Sequence, residues 1–272
     1  MGVPAVSKAR MKARLHGRLS SSAIAVFGVW DPFLPSHREL LDSLRTRARQ
    51  NGCCSLVVLI DPPPGAFSTF KARYGASGWP EYDSVAARIK LMLDCGIDAV
   101  LRMHFRKRDF TATAAEFIDL VRERATLEEI WLGALQLLGP GQLGSHSAIT
   151  DYAARHGVRL TMLPAPPLLL YDVRHFLAAG RLVDAIAVVG RAPVWERPRS
   201  GELRLAWRPG RYRATPVERP GWIDVAPAID VTLSPSSRGP ARLSWPCRNY
   251  RYLAFTSGPL DEQPVALRSA HG

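Results

Sequence analysis

Short apolar runs alternate with stretches whose apolar residues recur at helical spacing through the first two thirds of the chain. "AIAVFGV" (Ala23 to Val29) is a continuous apolar run of strand length, and "SHRELLDSLRTRARQ" (Ser36 to Gln50) carries Leu40, Leu41, Leu44 and Ala48 on one helical stripe. "SLVVLI" (Ser55 to Ile60) predicts a second strand closed by the stiff turn "DPPPG", and a loop rich in Gly and aromatic residues runs to Asp83. "SVAARIKLMLDC" predicts a helix stopped by Gly96, "DAVLRM" a third strand, and "TAAEFIDLVRERA" a helix opened by a capping box at Thr113 and Glu116. "EIWL" is a short fourth strand; a helix ending at His156 and Gly157, the fifth strand "VRLTML" and the linker "PAPP" follow. Five strands with intervening helices predict an α/β fold built on a doubly wound parallel sheet.

Beyond the linker, "LLLYDVRHFLAAGRLVDAIAVVGR" reads as two short helices split at Gly180. From Pro193 the texture changes to Trp, Arg, Pro and short β-prone runs, "LRLAW", "RYRATPV", "WIDVA" and "NYRYLAF", which predict a smaller antiparallel sheet or barrel. The expected organisation is a mobile basic arm over 1–22, an α/β domain over 23–190 and a β-rich C-terminal domain over 191–272.

A chain of 272 residues, 47% of them apolar, can bury a core without metal or disulfide staples. Of the four cysteines, Cys53 and Cys54 are adjacent and Cys95 and Cys247 lie far off, with neither zinc-ligand spacing nor a disulfide framework, so a reducing, cytoplasmic setting is expected. No apolar run approaches the roughly 18 residues of a membrane span, and the basic start leads into a strand-like run rather than a cleavable signal, so no membrane partner is expected. The net charge of +12 permits attraction to phosphates. Its arginines are scattered without an aromatic-interleaved cluster, which argues against a nucleic-acid face; the partner expected is a small-molecule ligand.

The candidate chemistry gathers in "VFGVWDPFLPSHREL" (Val26 to Leu40), where Asp31 and His37 follow the first strand. Open parallel sheets bind ligands past the carboxyl ends of their strands. A capping box at Ser36 and Glu39 would put His37 in the first helical turn, where free N–H groups and the dipole favour an anion. Two readings stay open. Asp31 and His37 either serve a nucleotide phosphate, or Asp31 caps loop amides and His37 faces solvent. Trp30, Phe33 and Trp79 either line a flat-ligand pocket or belong to the core.

The order of elements, with "YDSVAARIKLMLDCGIDAVLRMHFRKRDFTATAAEFI" and "VRHFLAAGRLVDAIAVVGRAPV", resembles the bacterial bifunctional FAD synthetases, which join an FMN adenylyltransferase domain to a riboflavin kinase barrel. The resemblance spans roughly Ala23 to Val194. It implies a nucleotidyltransferase fold of the HxGH type, a reduced barrel after it, and FMN, FAD or ATP with magnesium as ligands, with no metal site fixed by the chain's own residues. In the family the first strand leads into a motif like GNFDGVHLGH; here it reads "GVWDPFLPSH". Gly28, Asp31 and His37 match, Leu34 takes the place of the first histidine, and Pro32 and Ser36 replace both later glycines. Adenylyl transfer consists largely of positioning and of neutralising charge on the leaving pyrophosphate, and losing one donor typically costs about 10²–10³ in rate.

The family's SSTRIR-like run corresponds to "LLYDVR" (Leu169 to Arg174), where only Arg174 matches. Its FDPHP appears as "IDPPP", keeping Asp61, Pro62 and Pro64, and its GEDFRFG-like segment as "GALQLLG". The resemblance thus implies catalytic roles for His37, Asp31 and Arg174, and ligand contacts are expected at Gly28, Trp30, Phe33, Asp61 and Phe105. The barrel's PTAN-type motif has no counterpart, which argues against riboflavin kinase activity. The C-terminal part then either covers an edge of the first domain or offers a surface for self-association into a homo-oligomer. Three functions follow from the eroded motifs: a repurposed enzyme in an inherited nucleotide or flavin cleft, for instance in specialised metabolism; a residual ATP:FMN adenylyltransferase; or a non-catalytic flavin- or nucleotide-binding or scaffold protein.

Overall fold

The computed structural model describes residues 11–62, 79–104, 106, 109, 112–133, 138, 145–164, 169–218, 227–236, 240–246 and 251–258, with backbone alone at 169–172. The chain divides into two compact units. The first comprises Met1–Trp30, Pro35–Ser68 and Arg88–Pro167; the second comprises Asp31–Leu34, Thr69–Ala87 and Leu168–Gly272.

The first unit is built on a six-stranded sheet, in chain order β1 (Lys12–Gly17), β2 (Ala23–Gly28), β3 (Cys54–Asp61), β4 (Ala99–His104), β5 (Leu127–Gly133) and β6 (Arg159–Leu163). The spatial order is β1-β4-β3-β2-β5-β6. All neighbours are parallel except β1, which runs antiparallel along β4. The five expected strands are therefore present, and the order reverses beside β2, the switch point at which such sheets open a ligand crevice. Helices α1 (Pro35–Gln50), α2 (Val85–Asp94), α3 (Ala114–Arg122) and α4 (His146–Arg155) lie in the intervening segments. One core packs Ala25, Phe27, Leu56 and Val58 of the sheet against Phe117, Ile118 and Val121 of α3 and Ile149 and Tyr152 of α4. The capping box at Thr113 and Glu116 forms as the spacing predicts.

Two local expectations are corrected. From Met11 onward the basic arm is not mobile: Lys12–Gly17 pairs residue for residue with His104–Ala99. Met11 is buried and Ala13 and Leu19 pack on the core, so one face of a short alternating strand is enough to anchor it. Helix α1 starts at Pro35, so Ser36 lies inside the first turn rather than ahead of it. Proline at the first helical position has a fixed φ and no N–H to satisfy, which makes it a ready starter. His37 keeps its place in that turn.

The second unit holds α5 (Leu169–Ala179), α6 (Leu182–Val189) and strands β7 (Val194–Glu196), β8 (Glu202–Leu205), β9 (Gly210–Val217), β10 (Ile229–Leu233), β11 (Ala241–Ser244) and β12 (Tyr252–Ser257). Antiparallel sheets form in the orders β10-β9-β12-β7 and β11-β8. Val173 and Leu177 of α5 and Leu182, Ala185 and Val189 of α6 share a core with Trp195, Trp207, Tyr212, Leu253 and Phe255. The helices thus group with the C-terminal strands, and the expected division between 23–190 and 191–272 falls inside this unit. "LRLAW", "RYRATPV" and "NYRYLAF" contribute to β8, β9 and β12, whereas "WIDVA" lies outside the described residues.

Candidate functional site

In the first unit the candidate residues stand at the carboxyl edge of the parallel strands. β2 ends at Gly28 and the chain turns at Trp30, whose φ of 57° lies in the left-handed region. A non-glycine residue there stores strain on the order of 1–3 kcal/mol and persists only where packing over-determines it. The packing is visible. Trp30 is 5% exposed, its ring meets the His37 imidazole edge-on with centroids 5.1 Å apart, and a Cβ on Gly28 would lie 2.7 Å from its Nε1. Gly28 is therefore needed to seat the chain's own indole. The buried Nε1 of Trp30 has no hydrogen-bond partner among the described residues. Such a group costs about 1–3 kcal/mol unless something accepts from it.

Asp61, at the end of β3, is buried between two arginines. Arg88 of α2, wholly buried, donates Nη2 to Asp61 Oδ1 at 2.9 Å and Nη1 to the Val29 carbonyl at 2.9 Å. Arg102 of β4 donates Nε and Nη2 to Asp61 Oδ2 at 3.0 and 2.6 Å. This triad ties the ends of β2, β3 and β4 together. Asp61 is thereby committed to bracing the strand ends, and Arg88 carries no local sequence signal that would have singled it out.

Asp31, Phe33 and Arg174 belong to the second unit. The buried Asp31 carboxylate accepts the backbone N–H of Tyr82 at 2.9 Å and of Asp83 at 3.1 Å. Arg174 donates Nη2 to the Asp31 carbonyl at 2.6 Å, lies 3.9 Å from its Oδ2, and stacks its guanidinium 4.3 Å over the Trp79 ring. A second pair sits beside them: Arg191 donates Nη1 to Asp83 Oδ1 at 2.9 Å and Nη2 to Oδ2, and Nη2 also reaches the Phe33 carbonyl at 3.3 Å. Burial pushes the Arg191 guanidinium down, but the adjoining Asp83 carboxylate outweighs it and leaves the net shift upward. Burial, with Asp83 beside it, also pushes the Tyr82 phenol well up, so it stays a neutral donor to the Arg191 carbonyl. Leu34, where the resembling family carries its first histidine, is buried in this unit's core.

Of the residues singled out from the sequence, Gly28, Trp30, His37 and Asp61 thus gather in the first unit and Asp31, Phe33 and Arg174 in the second; Phe105 lies outside the described residues. Asp83, Arg88 and Arg191 were not anticipated. The three described cysteines are free thiols. Among the described residues no three His, Cys, Asp or Glu side chains converge as a metal-ligand set, and no helix is long and apolar enough to cross a membrane.

A strand end, a helix start and a switch point in the first unit, with Gly28, Trp30 and His37 at them, are accompanied by a family match: the FAD synthetase model matches residues 18–168, more than half of the chain. The chain belongs to the FAD synthetase family. The bifunctional riboflavin kinase/FMN adenylyltransferases of Escherichia coli K12 and Shigella flexneri are each 26% identical to it over 140 residues, 51% of this chain and 43% of theirs. The chain thus spans less than half the length of these FAD synthetase relatives. A solved structure described as a macrolide-efflux protein from Streptococcus pneumoniae is similar in fold, with a TM-score of 0.56 and 14% identity over 88% of this chain and 86% of that one.

Proposed function

We propose that this FAD synthetase homologue binds the planar ring of a flavin or nucleotide at the carboxyl edge of its parallel sheet, and that the inherited cleft serves a reaction other than ATP:FMN adenylyl transfer. The observation that carries this reading is the Trp30 indole over Gly28, edge-on to His37. In the family motif, glycines let a phosphate approach the loop closely. Here the space over Gly28 holds an aromatic wall, and its Nε1 is a donor with no described acceptor. A wall, a half-buried imidazole and a spare N–H suit a ring bearing carbonyl or ring-nitrogen acceptors.

His37 is the polar group of this site, Trp30 its wall, and Gly28 the residue that makes room for the wall. Asp61 acts through Arg88 and Arg102 by holding the strand ends, and Asp31, Phe33 and Arg174 act within the second unit as positioning residues. Two further points support loss of the ancestral reaction: Leu34 sits in a core in place of a phosphate-binding histidine, and the Asp31 carboxylate is occupied by backbone amides.

Calorimetric titration of the full chain with FMN, FAD and ATP in magnesium, followed by chromatography of each mixture, tests the reading. FMN or FAD should bind in a manner weakened by His37→Ala and Trp30→Leu, and no FAD should form from FMN and ATP. Accumulation of FAD would restore the adenylyltransferase assignment. Absence of flavin and nucleotide binding alike would leave a scaffold protein.

A further inference from the structure

The pairing of β1 with β4 sets an unusual row of side chains at the edge of the first unit's sheet. Lys12 is the Cα partner of His104 and Arg14 of Arg102, so all four side chains project from one face. Directly opposite residues have Cβ atoms about 4.5–5.5 Å apart, and successive same-face residues are separated by roughly 7 Å. Lys12, Arg14 and His104 are exposed, and Arg102 keeps 32% of its side-chain surface.

Charge bookkeeping on this face is one-sided. Asp61, aligned with His104 on the next strand, is the carboxylate that β3 adds to the row, and it is shared between Arg88 and Arg102, so one negative charge stands against two arginines. Among the described residues neither Lys12 nor Arg14 has a carboxylate within ion-pair distance. Arg14 and Arg102 face each other as like charges, an arrangement that costs free energy in a sheet. Their field reaches a third group: burial, then Arg14 and Arg102, push the neighbouring His16 imidazole downward.

We propose that Lys12, Arg14, Arg102 and His104 form a binding site for the diphosphate group of a small-molecule ligand. A compact dianion or trianion placed over the two cross-strand pairs accepts hydrogen bonds from all four side chains and removes the Arg14–Arg102 repulsion. The patch is two residues wide and two deep, the size of a diphosphate rather than of a track along a nucleic-acid backbone. Lys12 and His104 lie at the carboxyl edge of the sheet, level with Asp61. The diphosphate site does not depend on ring binding at Trp30.

Inorganic pyrophosphate, which has no ring, is therefore the probe, titrated calorimetrically into the full chain at low salt. One equivalent should bind saturably, Lys12→Ala and Arg14→Ala should each weaken it roughly five- to tenfold, and added salt should weaken it further. Arg49→Ala, at an exposed position near the end of α1, should leave the affinity unchanged. Circular dichroism should show both patch variants folded, since each removes an exposed side chain from an edge strand. No saturable binding, or an equal loss in Arg49→Ala, overturns the site. So does an oligonucleotide that displaces pyrophosphate and binds more tightly through the same two residues, because the face is then a nucleic-acid surface. Flavin binding that fails while pyrophosphate binding follows Lys12 and Arg14 would overturn the ring site and leave this one standing.

Discussion

Arg88 and Asp61 form an ion pair of 2.9 Å with no surface exposed on the arginine and 6% on the aspartate. The pair is asymmetric, because Asp61 has a second partner in Arg102 and losing Asp61 would leave both arginines without it. Removing one member of a buried pair typically costs about 3–5 kcal/mol because the other charge is left uncompensated. Asp61→Asn should therefore reach the upper part of that range and Arg88→Met the lower part. Arg102→Ala, at a part-exposed position, should cost less than about 1 kcal/mol. Urea unfolding of the three variants checks the order, and the Asp61→Asn, Arg88→Met double variant should cost less than the sum of the singles.

Asp31 illustrates a motif residue with a structural duty. Its carboxylate accepts two backbone amides, from Tyr82 and Asp83, deep in the second unit. Asp31→Ala should leave both N–H groups unpaired at about 1–3 kcal/mol each, while Asp31→Asn, which keeps one acceptor oxygen, should recover much of the loss. A melting temperature for Asp31→Ala equal to that of the native chain would remove the capping assignment.

How much of this was legible in the sequence depends on where each signal resides. Continuous apolar runs such as Ala23–Gly28 and Cys54–Asp61 announce buried parallel strands by themselves. Strand β1 was not legible, because "KARLHG" looks like a solvated basic arm and acquires its meaning from backbone pairing with β4, about 90 residues away in sequence. The same holds at the candidate sites. Gly28, Asp31, His37 and Arg174 stand out through a motif, but what they touch does not. Arg174 meets Asp31 across 143 residues and Arg191 meets Asp83 across 108, and neither arginine differs locally from other helix or loop arginines. That Trp30 would fill the space over Gly28 depends on a left-handed backbone at a bulky residue, which local propensity disfavours.

The Gly28–Trp30 contact makes its own prediction. Gly28→Ala would set a methyl group 2.7 Å from Trp30 Nε1 and 2.9 Å from Cε2, so the indole must move. Overpacking of this kind typically costs about 1–3 kcal/mol. Trp30→Leu should lessen the cost of Gly28→Ala, because a smaller side chain clears the space. Thermal unfolding of the two singles and the double gives the coupling, which should be favourable; strict additivity would mean that the indole does not occupy that space.

Glu129, on β5, ties acid stability to the first unit. Its carboxylate is 2% exposed and accepts from Trp131 Nε1 at 2.8 Å, Thr161 Oγ1 at 2.7 Å and Arg47 Nε at 3.2 Å, with Arg159 at 3.3 Å. Burial alone pushes the carboxyl up, but the hydrogen bonds from Thr161, Trp131 and Arg47 and the Arg47 charge outweigh it, so the net shift is below the ordinary 4.5. A carboxyl held below its unfolded value contributes stability that is fully present above that value and is lost as pH falls through the folded one. The native chain should accordingly lose stability on acidification below about pH 4.5, and Glu129→Gln should lose less over the same interval while being less stable at pH 7. Denaturant midpoints collected from pH 7 down to the acid limit make the comparison. Parallel pH curves for the two proteins would show that Glu129 is not the group that couples this sheet to acid.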